Sequence, residues 1–103
     1  LYLPYTIPHA DLEVPDLGIY ATRDWDDEAK ILAAMITRLD RDVGRILAEL
    51  DAQGLTNDTI VFLCSDNGAS RHQLDFFRRS GDLRALKGSL YEGGIRTPML
   101  ARW

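Results

Sequence analysis

Apolar residues between Asp24 and Gly54 recur every three or four positions. Ile31, Leu32, Met35, Ile36, Leu39, Val43, Ile46, Leu47 and Leu50 form one stripe, with Arg38, Asp42, Arg45 and Glu49 lying off it. That period predicts an α-helix with a single buried face. Asp24 reads as its N-cap, and Asp26, Asp27 and Glu28 fill a first turn where carboxylates meet the positive end of the helix dipole. Gly54 suits the position just past the C-cap, so the helix ends near Gln53. At about 1.5 Å per residue such a helix is roughly 40 Å long, and its stripe needs a sheet to cover it.

The pattern then changes. Residues 59–65 are apolar on consecutive positions, which predicts a strand covered on both faces rather than one with a wet side. Leu1 to Tyr5 reads as a short strand interrupted by Pro4, and Ile95 to Trp103 as a third strand. Residues 9–23 hold Pro15, Gly18 and several acids and should be irregular surface, while Leu74 to Arg79 suits a short helix. Strand, long helix and apolar strand make a βαβ unit, so the fold class is α/β with a largely parallel sheet. Both ends of the chain are apolar and uncapped, which reads as an internal segment, 1–103, of one larger domain.

Composition narrows the picture. With 103 residues and 46% hydrophobic content, the chain has the make-up of one globular unit, not of a disordered tract. The net charge of −4 is uneven: residues 1–28 carry seven acids against Arg23, whereas residues 71–103 carry seven bases against three acids. Those bases lack regularly interleaved aromatics, which argues against a nucleic-acid partner but allows a local positive field over a small anion. No stretch approaches membrane-spanning length. Cys64 is the single cysteine, so no internal disulfide can form, and its place in an apolar strand suits a buried thiol. Asn57-Asp58-Thr59 matches a glycosylation acceptor and makes equal sense as a turn.

Chemistry concentrates in two places. The apolar strand ends in Ser65-Asp66-Asn67-Gly68, and ligands of α/β sheets bind beyond the carboxyl ends of strands. A carboxylate beside an amide offers two oxygen ligands to a hard cation, although Asp-Asn-Gly is also an ordinary turn sequence. About twenty residues later Lys87-Gly88-Ser89-Leu90-Tyr91-Glu92-Gly93-Gly94 sets a lysine in a glycine-rich segment suited to an oxyanion, or to a tight surface loop. The pattern is not a P-loop, because no glycine-rich loop precedes the lysine. His9 follows Pro8 in a loop, where it suits an acid–base or anion contact, or no role at all. A cation subsite plus an anion subsite points to cleavage of a phosphate or sulfate ester.

Four stretches, in order, resemble the sulfatase family, the formylglycine-dependent arylsulfatase type of the alkaline-phosphatase-like superfamily. Residues 1–9 resemble its histidine-bearing strand and loop, and 35–44 its central helix. Residues 59–68 resemble its metal strand, and 86–102 its lysine segment. The resemblance implies a partial alkaline-phosphatase-like fold and a parent enzyme that hydrolyses sulfate esters, of small molecules or carbohydrates, to an alcohol and sulfate. It implies Asp66 and Asn67 as ligands of Ca²⁺, with Mg²⁺ as the alternative. It implies Lys87 on a sulfate oxygen and His9 at the sulfate or the leaving oxygen, both as catalytic and substrate-binding residues. By the same resemblance the protein would be exported or lysosomal.

The departures are informative. The family's nucleophile is a formylglycine made from the cysteine or serine of a C-x-P-S-R type motif, and Cys64-Ser65-Asp66-Asn67-Gly68 does not match it. That nucleophile and a further aspartate pair are expected upstream, so the 103 residues alone should be inactive. Ala85 stands where glycine is common before the lysine, and Ala69 where proline often follows Asn67-Gly68. Arg71 and His72 fall in a variable loop that could touch substrate, with nothing to assign either a role. Two rivals remain: a phosphoesterase or phosphonate hydrolase of the same superfamily, and a non-catalytic protein that keeps the scaffold.

Overall fold

A computed structural model describes residues 1–70 and 76–103 and divides into two compact units, Leu1–Gln53 and Gly54–Trp103. The first unit is dominated by the expected helix, α1, Asp27–Ala52. Its N-cap is Asp26, two residues later than the sequence suggested. Asp26 takes extended backbone angles (φ −63°, ψ 157°), and its Oδ1 accepts a bond of 2.7 Å from the Ala29 amide. A cap of this kind is worth about 1 kcal/mol. It leaves Asp27 and Glu28 in the first turn, where they face the helix's unpaired N–H groups. At the other end Gln53 is the C-cap and Gly54 follows at φ +69°, as anticipated from its lack of a Cβ.

Ala29, Leu32, Ala34 and Met35 are buried on α1, whereas Ile36 on the same stripe is 48% exposed. Before the helix, the chain makes a short 3-10 turn at Gly18–Tyr20 that packs on α1. Tyr20 is tied to the helix by a 2.8 Å hydrogen bond between its hydroxyl and Thr37 Oγ1, and its ring stacks on Trp25 at 5.7 Å. Residues 1–5 form no strand. Pro4 removes a ladder donor there, and a strand exists only when a neighbour pairs with it. The Ile7–Pro8 peptide bond is cis.

The second unit starts with a 3-10 turn at Thr56–Asp58, where the sequence indicated a turn. Strand β1 follows at Val61–Cys64, then a single helical turn, α2, at Glu92–Ile95, and strand β2 at Met99–Arg102. The two strands pair antiparallel, with Val61 opposite Arg102 and Cys64 opposite Met99. The strand pairing present among the described residues is the antiparallel one of β1 with β2, and the expected parallel pairing is not among them. Burial along β1 also alternates instead of being continuous, with Phe62 61% exposed and Cys64 exposed rather than a core thiol. A two-stranded ribbon has no second layer of its own to cover its faces.

Ile95 to Trp103 is likewise not one strand. Pro98 lacks an amide donor, and Gly93 and Gly94 let the chain turn helically first, so the strand begins at Met99. The Leu74 to Arg79 helix falls partly on residues 71–75, outside the described residues, and 76–79 form no helix. Arg71 and His72 lie outside the described residues as well.

Candidate functional site

The second unit holds three of the four residues singled out in the sequence. Strand β1 ends at Cys64, and the turn Ser65-Asp66-Asn67-Gly68 leaves it directly. The Ser65 hydroxyl donates to the Asn67 carbonyl at 3.1 Å and lies a weak 3.5 Å from Asp66 Oδ1. Asn67 donates its Nδ2 to the Gly68 carbonyl at 3.0 Å. That bond engages the amide nitrogen, which cannot bind a cation, and leaves Oδ1 available as an acceptor. Asp66 is exposed and Asn67 half-buried.

This turn is stitched to the lysine segment by backbone bonds at two points. The Gly68 amide donates to the Gly94 carbonyl at 2.9 Å, and the Lys87 amide donates to the Ala69 carbonyl at 2.8 Å. Residues about twenty apart in sequence are thereby held as one layer, with half-buried Lys87 next to the strand-end turn. Glycine is required for so close an approach. A Cβ on Gly68 would run into the Gly93 carbonyl oxygen, and one on Gly94 into the carbonyls of Ser89 and Leu86. The sequence left these glycines as either loop punctuation or an anion cradle; the structure makes them contact points between backbones.

Arg79 braces the same region by donating to the Ser70 carbonyl at 3.1 Å, and its burial pulls the guanidinium pKa below its ordinary value. Within the lysine segment Ala85 takes φ +65°, a left-handed conformation that a side chain disfavours. Replacing it with glycine relieves about 1–2 kcal/mol of backbone strain and costs about 0.5–1 kcal/mol of chain entropy. Ala85→Gly is therefore expected to stabilise the protein by about 0.5 kcal/mol, read as a higher urea midpoint at unchanged slope. A lower midpoint would show that the Ala85 methyl makes a contact worth more than the strain.

His9 belongs to the first unit. It is exposed and lines an open cavity of about 520 Å³ with Thr6, Asp11, Glu13, Val14 and Met35. The cavity gives the imidazole access to a small molecule from solvent. Two residues important to the lysine segment escaped the sequence analysis, Arg84 and Tyr91. Their guanidinium and ring pair across seven positions of irregular chain, a spacing no periodic pattern marks.

A cation site can be tested against these donors. Asp66 Oδ and Asn67 Oδ1 are hard oxygens on adjacent residues of a braced turn, which fits Ca²⁺ or Mg²⁺ in kind. They are too few by themselves: such ions take about six to eight oxygen ligands, and no cluster of three or more His, Cys, Asp or Glu exists among the described residues. The turn fits as part of a ligand set.

The structure thus joins a carboxylate and an amide at a strand end to a lysine-bearing loop by backbone hydrogen bonds. The sulfatase family pattern matches residues 1–103 in full, and the chain belongs to that family. Steryl-sulfatase of Mus musculus is 40% identical over 73 residues, 66% of this chain and 12% of that protein. Arylsulfatase A of Homo sapiens is 38% identical over 68 residues, 66% of this chain and 13% of that protein. The sulfatase YdeN of Escherichia coli (strain K12) is 33% identical across 100% of this chain and 18% of its own length. The chain thus spans less than a fifth of the length of these relatives.

Proposed function

We propose that the protein carrying this chain is a sulfuric ester hydrolase, releasing an alcohol and inorganic sulfate from a small-molecule or carbohydrate sulfate ester. The observation that supports this most is the pair of backbone bonds, Gly68 to Gly94 and Lys87 to Ala69, that joins the Asp66-Asn67 turn to the lysine segment. In this reading residues 1–103 are one internal segment of a single catalytic domain, whose larger α/β sheet, mostly parallel, extends beyond β1 and β2.

Lys87 meets a sulfate oxygen with its ammonium and offsets the negative charge carried there as the ester S–O bond breaks. By family resemblance His9 contacts the sulfate or the leaving oxygen and helps that oxygen depart as an alcohol. Asp66 and Asn67 hold a divalent ion, Ca²⁺ or Mg²⁺, with further oxygen ligands from elsewhere in the protein. That ion supplies Lewis-acid polarisation of the sulfate. The nucleophile, a formylglycine by family resemblance, also lies elsewhere in the protein. Family resemblance further supports an exported or lysosomal location. No described helix is long and apolar enough to cross a membrane.

The test is turnover by the complete protein of nitrophenyl sulfate and nitrophenyl phosphate side by side. Release of nitrophenol from the sulfate, with little from the phosphate, is the expected result. Preference for the phosphate would replace this reading with a phosphoesterase, and inertness toward both would leave a scaffold without catalysis.

A further inference from the structure

The lysine segment is a loop with a closed neck. The Gly93 amide donates to the Arg84 carbonyl at 2.8 Å, so residues 84 and 93 meet and the chain between them, Lys87 included, is a small ring. Inside it the Ser89 amide bonds the Leu86 carbonyl at 3.1 Å, and the Tyr91 amide bonds Ser89 Oγ at 3.1 Å. At the neck the Arg84 guanidinium carbon sits 3.5 Å from the centre of the Tyr91 ring. That is well inside the range at which an aromatic face attracts a cation. The ring and the guanidinium are both on exposed residues, so neither fills a core.

From this geometry we infer that Arg84 and Tyr91 are positioning residues, a cation–π clamp that closes the neck of the loop and fixes Lys87 for the anion. Three features make the clamp consequential. Left-handed residues stand on either side of Lys87: Gly88 at φ +87°, which glycine adopts freely, and Ala85 at φ +65°, a conformation that a residue with a side chain keeps only where surrounding contacts impose it. Lys87 has one described backbone anchor outside the loop, its amide bond to Ala69. Arg84 contributes to the neck twice, with its carbonyl to Gly93 and its side chain to Tyr91, so one residue couples stacking to backbone closure. Loss of the stack leaves the Gly93–Arg84 hydrogen bond as the described link directly across the neck, beside the bonds of Lys87 and Gly94 to the strand-end turn, and gives the lysine more freedom relative to the oxyanion.

The inference rests on the reading of Lys87 as a sulfate contact. It is tested in the complete protein with Tyr91→Leu and Tyr91→Phe, and with Arg84→Lys and Arg84→Met. Phe and Lys preserve an aromatic face and a cation, whereas Leu and Met preserve bulk alone. The expected result is a rise of about fivefold or more in KM for nitrophenyl sulfate in Tyr91→Leu and Arg84→Met, with smaller changes in kcat. Faster hydrogen exchange at the Gly93 amide should accompany it, and Tyr91→Phe and Arg84→Lys should restore both quantities. A purely structural role would instead lower the melting temperature without splitting KM from kcat. Unchanged KM in the Leu and Met variants, or equal effects in the conservative and disruptive members of each pair, overturns the positioning role alone. Absence of sulfate turnover in the unsubstituted protein overturns it together with the hydrolase reading, which keeps the two failures distinguishable.

Discussion

Replacing Asp66 with asparagine is expected to lower kcat/KM on a sulfate ester by about a hundredfold or more, because a metal that polarises the ester contributes several kcal/mol to the transition state. The substitution separates two readings that share the same geometry. Asparagine is as good a turn former as aspartate, its side chain has the same shape, and Asp66 is exposed with only a 3.5 Å approach from Ser65. If the turn were simple punctuation, Asp66→Asn would be nearly silent in both stability and rate. If the carboxylate is a ligand, the loss of its charge weakens the ion while the fold stays intact. Calcium titration by calorimetry supplies a readout independent of turnover. The unsubstituted protein should give a heat of binding that shrinks or vanishes in the variant, at an unchanged melting temperature. Equal titrations and equal rates in the two proteins would sink the metal role of Asp66.

The second large effect is on stability. Gly93→Ala is expected to destabilise the protein by about 3 kcal/mol, at the upper end of what overpacking usually costs. Gly93 is buried, and an added methyl would lie 2.6 Å from the Arg84 carbonyl oxygen and against the Ala85 carbonyl as well. Both obstacles are backbone, so neither can swing away as a flexible side chain would. Moving Gly93 outward also breaks its own amide bond to Arg84 and shifts its carbonyl, which Gly68 closely approaches. Gly44 in α1 is the natural comparison, since nothing lies within 4 Å of a Cβ added there. Gly44→Ala should be stabilising, by just under about 1 kcal/mol, because alanine is the better helix former. Thermal or urea unfolding of both variants checks the pair. Similar small shifts at the two glycines would show that the approach of the Gly93 neck to its neighbours is looser than described.

Long-period features of the chain were legible without a structure. The helix from Asp27 to Ala52 follows from its apolar stripe and from Gly54, because helical periodicity and a left-handed C-terminal glycine are local properties. Its start was misplaced by two residues because Asp24 and Asp26 are equally able to cap, and only backbone angles distinguish them. The apolar run at 59–65 announced a strand, yet could not name the partner. Pairing direction depends on which segment lies alongside, and that segment, Met99–Arg102, is more than thirty residues away. Burial of Cys64 and Phe62 was misjudged for the same reason, since covering a face is the work of another layer.

The sequence by itself determined the candidate residue types: a carboxylate and an amide at a strand end, a lysine among glycines, and a histidine after a proline. It also carried enough of the sulfatase pattern to place the chain in that family. Tertiary structure decided what those glycines are for. Gly68, Gly93 and Gly94 let three stretches of backbone come within contact of one another, and the amides of Gly68 and Lys87 bond across the join. Composition cannot reveal such a junction, because a glycine in an open loop and a glycine under the carbonyl of another segment are the same letter. The Arg84–Tyr91 stack is the same kind of fact. Two ordinary surface residues become a clamp only because the turn between them brings a cation over a ring.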